Sequence, residues 1–390
     1  MQMEEFYPFF LIIFVGVFFS MVFRRMHVPW VVGLILGGLF VGPTVLGLVG
    51  PTPAASFIAQ IGLMFLMFIA GLEARPSNFK DFQFKLFTLA LINGLVPFAI
   101  GFGLTLYFGY DIIAALLVGI IFISSSIAIV IPALERTGLI HTRLGQSVIM
   151  TSVIQDIGSL ILLSIVLQNI DPVTTLPLYI FYPLVFAALI VFRLLIPAVH
   201  KLLTLGIDRS KDVFQQDFRV AFLILLGTVI VFEFLGLHSI VAAFFAGFVL
   251  SGALKDSGCK LRENIHTVSY GVFIPAFFIL VGIETDISIL ATSEKALILA
   301  GALIAGSVLS KFISGWVGAR MVGFTGNQSL LFAVSSIPQL STTLAVAFTA
   351  LSLGIIDESL LAAMVALSIL TVVVSPTLMR LFEKKIHDAV

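Results

Sequence analysis

The sequence predicts an all-α polytopic membrane protein of thirteen transmembrane helices, built as two inverted six-helix repeats joined by a linker helix. Three observations carry that expectation: composition, the regular recurrence of long apolar runs, and an echo of the first half in the second. Of 390 residues, 59% are hydrophobic and only 11% are charged, with a mean hydropathy of +1.17. An ordinary soluble domain carries about 25% charged residues, so a soluble enzyme is excluded on composition. Formal net charge is zero, and no basic patch interleaved with aromatics points to nucleic acid.

Apolar runs long enough to cross roughly 30 Å of hydrocarbon fall near 6–23, 28–48, 57–73, 84–108, 111–134, 145–169, 176–200, 217–236, 238–254, 265–283, 293–320, 327–352 and 358–381. The third is short, and the tenth contains Pro275. The start, Met1-Gln-Met-Glu-Glu, is acidic and unlike a secretory signal, so the first run is expected to be a retained span. A single cysteine, Cys259, leaves no internal disulfide and no cysteine-ligated metal.

Charge orients these spans. All but Lys295 and Lys311 of the 21 lysines and arginines lie at ends that follow odd-numbered spans, beginning with Arg24 and Arg25 and closing with Lys384 and Lys385. The positive-inside rule then places the N-terminus outside a cell membrane and the C-terminus in the cytoplasm. Lys311 fits neither side, because it sits mid-span.

The halves echo one another at an offset of about 210 residues. Phe68-Ile-Ala-Gly-Leu-Glu73 returns as Ile279-Leu-Val-Gly-Ile-Glu284, Gly37 and Gly42 as Gly247 and Gly252, and Ser124-Ser-Ser126 as Ser335-Ser336. Repeat one covers about 6–169 and repeat two about 217–381, with the seventh span, 176–200, as linker. Equivalent elements are seven spans apart, an odd number, so the repeats lie in opposite orientations, as in secondary transporters. Spans 5 and 12 are expected to break, since each joins hydroxyl clusters to a proline: Ser124–Ser126 with Pro132, and Ser335-Ser-Ile-Pro-Gln-Leu-Ser-Thr-Thr343. Kinked helices whose serines bond back to their own carbonyls are the structural alternative.

The sixth span carries Gln155 and Asp156 amid apolar residues. A carboxylate at that depth costs roughly 2.5–3.5 kcal/mol on insertion scales, which points to a site for a proton or cation, the alternative being a structural aspartate bonded to a neighbouring helix. Thr151, Ser152, Gln155, Asp156 and Ser159 share one helical face. Lys311 shares another with Ser307, Ser310 and Ser314, and a buried ammonium calls for an acid. Asp156 and Lys311 are therefore expected to approach each other at the crossing of the broken helices. Ser125, Ser126 and Gln155 would replace part of an ion's hydration shell, with Ser336 and Gln339 in support. Glu73, Glu284 and Glu233 lie at span ends and suit caps, gate contacts or hydration, and Arg193 and His200 suit interfacial anchoring. No phosphate loop, nucleophile elbow or histidine–carboxylate metal spacing is present, and no cofactor is expected.

These residues resemble the monovalent cation:proton antiporter superfamily over essentially the whole chain. The likeness rests on Arg24-Arg-Met-His-Val-Pro-Trp-Val-Val-Gly33 followed by Gly37-Gly-Leu-Phe-Val-Gly-Pro43, on Phe68-Ile-Ala-Gly-Leu-Glu73, on the serine-rich fifth span, on Gln155-Asp156 and on Lys311. The resemblance implies a homodimer whose core domain carries the ion across the membrane like an elevator. It implies that Asp156 binds the cation, and the Gln-Asp pair is similar to Kef-type exchangers. Gln155 stands where electrogenic members carry an acid that pairs with the lysine, which redirects Lys311 to Asp156. The chain departs from many relatives at Pro338-Gln-Leu-Ser341, where those relatives carry a glutamate that supports a salt bridge, and regulation by a nucleotide-binding domain after the last span is not expected.

The expected activity is exchange of a monovalent cation, Na+ or K+, for a proton, electroneutral because one deep carboxylate holds one or the other. A sodium-coupled symporter of an organic anion is the alternative, but it would need ligands for a second cation. A channel would need a ring-forming filter, which is not seen.

Overall fold

The computed structural model describes residues 2–25, 29–73, 84–136, 138–140, 142–170, 216–235, 237–253 and 258–387, with scattered residues between 180 and 195. Most of the expected linker at 176–200 lies outside these, as do Arg75, Lys80, Arg193, His200, Lys201, Arg209, Lys211 and Lys255. Every regular element among the described residues is helical. In chain order they are α1 (Gln2–Arg25), α2 (Trp30–Val41), α3 (Pro53–Glu73), α4 (Phe84–Tyr107), α5 (Ile112–Ile123), α6 (Ile127–Arg136), α7 (Arg143–Ile170), α8 (Gln216–Phe234) and α9 (Ser239–Ala253). They continue with α10 (Gly258–Val268), a π-helical turn (Ser269–Phe273), α11 (Ile274–Glu284), α12 (Ser288–Thr292), α13 (Glu294–Val322), α14 (Gly326–Ser335), α15 (Ser341–Ser352) and α16 (Glu358–His387). Seven helical spans among the described residues are long and apolar enough to cross a membrane.

Local chemistry explains where several expected spans were adjusted. The second ends early, at Val41: Gly42 turns extended (φ −68°, ψ 176°) and Pro43 cannot donate to a helical ladder. The third gains a turn because Pro53 suits the first helical position, where no N–H is required. In the tenth, the π-helical turn sits just before Pro275, whose missing N–H disturbs the ladder there. The fifth breaks at Ser124–Ser126, while Pro132 stays inside α6. The twelfth breaks over residues 336–340, which include Pro338.

The chain forms two compact units, one of residues 1–56, 81–163 and 278–390, the other of 57–80 and 164–277. In the first, α4 lies against α13 and α5. Gly101 of α4 receives Phe122 of α5, and Gly119 of α5 receives Phe98 of α4, a reciprocal fit. Gly318 of α13 leaves room for Leu89, since a Cβ there would stand 2.6 Å from its Cδ1. Such small residues let helices approach where lipid offers no hydrophobic drive. Outward faces of α4 and α13 stay apolar, with Leu95, Ile100, Leu309 and Ile313 exposed as lipid contact requires.

Among the described residues, each unit holds one reciprocal glycine crossing, in which a glycine of either helix meets a carbonyl of the other. In the first unit a Cβ on Gly38 would collide with the Ile279 carbonyl, and one on Gly282 with the Ile35 carbonyl. In the second, Gly247 meets the Phe68 carbonyl and Gly71 meets that of Phe244 in the same way. The residues correspond pair by pair across the sequence echo. They also set its register: Gly38, and not Gly37, plays the part of Gly247.

Candidate functional site

Where the two helix breaks meet in the first unit, extended backbone of each bonds the other. Ser126 N donates to Pro338 O at 2.7 Å, and Ser125 Oγ donates to Ser336 O at 2.8 Å. Backbone freed by a break must be satisfied inside a membrane protein, and here each break partly satisfies its counterpart.

Lys311 of α13 is fully buried and reaches this crossing. Its Nζ donates to Ile123 O at 2.5 Å, to Ser125 Oγ at 3.1 Å and to Gln155 Oε1 at 3.3 Å. Three acceptors match the three protons of an ammonium. Ile123 O belongs to the last turn of α5, the negative end of its dipole, so the charge caps that helix. The Asp156 carboxylate acts on Lys311 electrostatically. The bonds just given nevertheless run to a carbonyl, a hydroxyl and an amide, which the expectation of an acid partner did not include.

Polar side chains of α7 face the same region. Gln155 and Thr151 are 2% and 1% exposed, Ser152 is 3%, and Asp156 keeps 7%. The hydroxyls of Ser126 and Thr151 are buried and, among the described residues, without a hydrogen-bond partner. Ser336 Oγ donates to Ala333 O at 2.9 Å, within its own helix end. Gln339 contributes its backbone, whose N–H donates to Thr371 Oγ1 at 3.2 Å, while its buried amide has no partner among the described residues. Among the described residues, no three His, Cys, Asp or Glu side chains converge on a metal-binding geometry.

One residue at this crossing went unnoticed in the sequence. Asn93 of α4 is fully buried, and its Nδ2 donates to Lys311 O (3.0 Å), Ser314 Oγ (3.0 Å) and Ser336 Oγ (3.3 Å). Its Oδ1 accepts from Gln155 Nε2 at 3.0 Å. Gly315 makes the approach possible, as a Cβ there would stand 3.0 Å from Asn93 Nδ2 and Ser336 Oγ. A lone asparagine in an apolar helix has no spacing that announces it; only its depth, matching that of Gln155, could have.

Broken, crossing helices with a buried acid and base define a helical membrane transporter by their architecture. The family "Sodium/hydrogen exchanger, transmembrane" matches residues 10–382, and the chain belongs to it. Among its relatives, "Probable Na(+)/H(+) antiporter 3" of Methanocaldococcus jannaschii is 29% identical over 377 residues, covering 96% of each chain. "Na(+)/H(+)-K(+) antiporter GerN" of Bacillus cereus is 26% identical over 91% of this chain and 90% of its own. The solved sodium proton antiporter MjNhaP1 of Methanocaldococcus jannaschii shares the fold, with a TM-score of 0.76 over 98% of this chain and 99% of its own at 18% identity. The protein is thus a multi-pass membrane protein of a cation/proton antiporter family, a transporter and not an enzyme.

Proposed function

We propose that the protein exchanges one monovalent cation, Na+ or K+, for one proton, with Asp156 as the group for which the two compete. The observation that carries this reading is the placement of Asp156 beside the crossing, one residue from an amide already bonded to a buried ammonium. A carboxylate there is stabilised by the charge of Lys311 and offers an incoming cation two oxygens. The unpartnered hydroxyls of Ser126 and Thr151, with Ser152 nearby on α7, supply neutral oxygens to replace water around the ion. Protonation removes the negative charge and with it most of the cation's binding energy, so ion and proton travel in turn.

Because Lys311 already neutralises one charge in either state, the loaded forms carry equal charge and exchange is electroneutral. Relatives named for Na+/H+ exchange, and one for Na+/H+-K+ exchange, support the cation class. Cavity size and stiffness choose between sodium and potassium. The two glycine crossings built from corresponding residues support an inverted repeat within thirteen spans. Movement of a core domain like an elevator, a homodimer in the cell membrane, and an external N-terminus complete the reading. Organic-anion symport is disfavoured, because one deep acid leaves no second cation ligand set at the crossing.

Proteoliposomes carrying a pH dye test it, with sodium, potassium or lithium added in turn. Asp156→Asn is expected to reconstitute as folded protein and to show no cation-driven proton flux. Exchange at the wild-type rate in that variant removes the proposal.

A further inference from the structure

The hydrogen bonds around Asn93 close a ring. Lys311 Nζ donates to Gln155 Oε1, Gln155 Nε2 donates to Asn93 Oδ1, and Asn93 Nδ2 donates back to the Lys311 carbonyl. Chemistry alone fixes the direction of both amides. An ammonium can only donate, so the Gln155 atom facing it must be oxygen. Its nitrogen then faces Asn93 Oδ1 and the Ala90 carbonyl, 3.2 Å away. Asn93 must in turn present its nitrogen to the Lys311 carbonyl, which can only accept. The ring joins α4, α7 and α13, and its residues are all within a few per cent of complete burial.

We propose that Asn93 is a positioning residue for ion exchange, holding the Gln155 oxygen on Lys311 so that the ammonium stays on the first helix break and leaves Asp156 to the cation. The proposal rests on the reading of Asp156 given above. Without Asn93, Gln155 Nε2 keeps one partner, the Ala90 carbonyl, and the amide is held less firmly, although Lys311 and Ser125 Oγ still donate to its oxygen. Loosened in this way, Gln155 would keep its oxygen on Lys311 less well, and the ammonium would be drawn toward the charge of Asp156. Lys311 would then compete with the transported ion for one carboxylate. Asn93 itself need not touch the ion; it acts through Gln155 and Lys311.

The test is a two-by-two set of full-length variants, Asn93→Leu and Lys311→Gln singly and together. It reads the sodium or potassium chloride concentration that half-saturates cation-induced thermal stabilisation, alongside proteoliposome KM and maximal rate. Asn93→Leu is expected to raise the half-saturating concentration and the KM about tenfold, with the maximal rate within about twofold of wild type. In the Lys311→Gln background the same substitution is expected to shift nothing, since the competing charge has gone. An unshifted midpoint in Asn93→Leu, an equal shift in both backgrounds, or loss of binding in Lys311→Gln alone overturns the proposal. If Asn93→Leu does not fold, Asn93→Ser, too short to reach Gln155, carries the same expectation. Asp156→Asn separates the two claims. Cation-induced stabilisation that survives in it sinks the reading of the site. Its loss there, with wild-type behaviour in Asn93→Leu, sinks the role of Asn93 alone.

Discussion

The two helix breaks hold corresponding places in the sequence echo, yet they differ in chemistry. The first, Ser124–Ser126, is charged in effect: Lys311 caps the end of α5, and Ser125 bonds both that ammonium and the opposite strand. The second, over 336–340, is neutral. Its carbonyls receive Ser125 Oγ and Ser126 N, its Gln339 N–H goes to Thr371 Oγ1, and Ser375 Oγ steadies Val334 O from α16. The following helix, α15, has Leu340 at its N-cap and no side-chain cap, and the Thr343 hydroxyl lacks a partner among the described residues. One break thus holds the titratable machinery, and the other works as a scaffold of dipoles. On the proposed inverted repeat the two halves have diverged here, as the proposed carriage of one ion per cycle needs only one charged break.

The largest test of that asymmetry is Lys311→Met, which keeps length and apolar bulk but removes the ammonium. Ile123 O loses its short-range donor, and the Asp156 charge loses its counter-charge. Replacing both members of a buried pair can be harmless, but removing one leaves the other uncompensated. With buried acceptors costing about 1–3 kcal/mol each when unsatisfied, a loss on the order of 3 kcal/mol is expected, read as a fall of several degrees in the melting temperature of detergent-solubilised protein. An unchanged melting temperature would mean that the first break does not depend on its charge.

Much of this difference could be read in advance, and some could not. The breaks were visible because serine clusters and proline oppose a helical ladder on chemical grounds, whatever surrounds them. Asp156 and Lys311 were visible because lone charges in apolar spans are expensive. The partners of Lys311 were hidden, since Ile123 O is a backbone atom 188 residues away and carries no sequence mark. Asn93 was hidden for a similar reason: its contacts to α13 and the second break lie 218 to 243 residues away. The Gly38–Gly247 register was off by one residue because adjacent glycines, Gly37 and Gly38, satisfy the same motif. Only the crossing decides which of them meets a carbonyl.

A smaller effect, of opposite sign, is expected at the second break. The Gln339 side chain is fully buried, with neither amide atom bonded among the described residues. An unsatisfied buried amide costs more than it returns, whereas an apolar side chain of the same length gains from burial. Gln339→Met is therefore expected to stabilise the protein by about 1 kcal/mol, a rise of roughly 1–2 °C for a chain of this size. A fall in melting temperature comparable to that of Lys311→Met would show the second break to be as polar in its needs as the first.

The smallest effect concerns what joins the two strands at their ends. Tyr110, on the turn that leads into α5, donates to both carboxylate oxygens of Asp357, at 3.0 and 3.2 Å. Asp357 in turn accepts from Leu360 N at 2.9 Å and so caps α16, the helix that braces the second break through Thr371 and Ser375. Burial first, then the Asp357 charge and the hydrogen bond, raise the Tyr110 pKa above its ordinary value of 10.0. The folded protein holds this proton more tightly than the unfolded chain does. The bond's contribution is therefore complete below about pH 10 and drains away as pH climbs beyond it. Tyr110→Phe removes a half-exposed bond worth about 0.5–1 kcal/mol, so the variant should melt slightly below wild type at pH 8 and converge with it as pH is raised above 10. A constant gap across that range would assign the loss to packing of the ring. The tie between the turn before α5 and the start of α16 would then be steric, and the two breaks would be braced independently of charge.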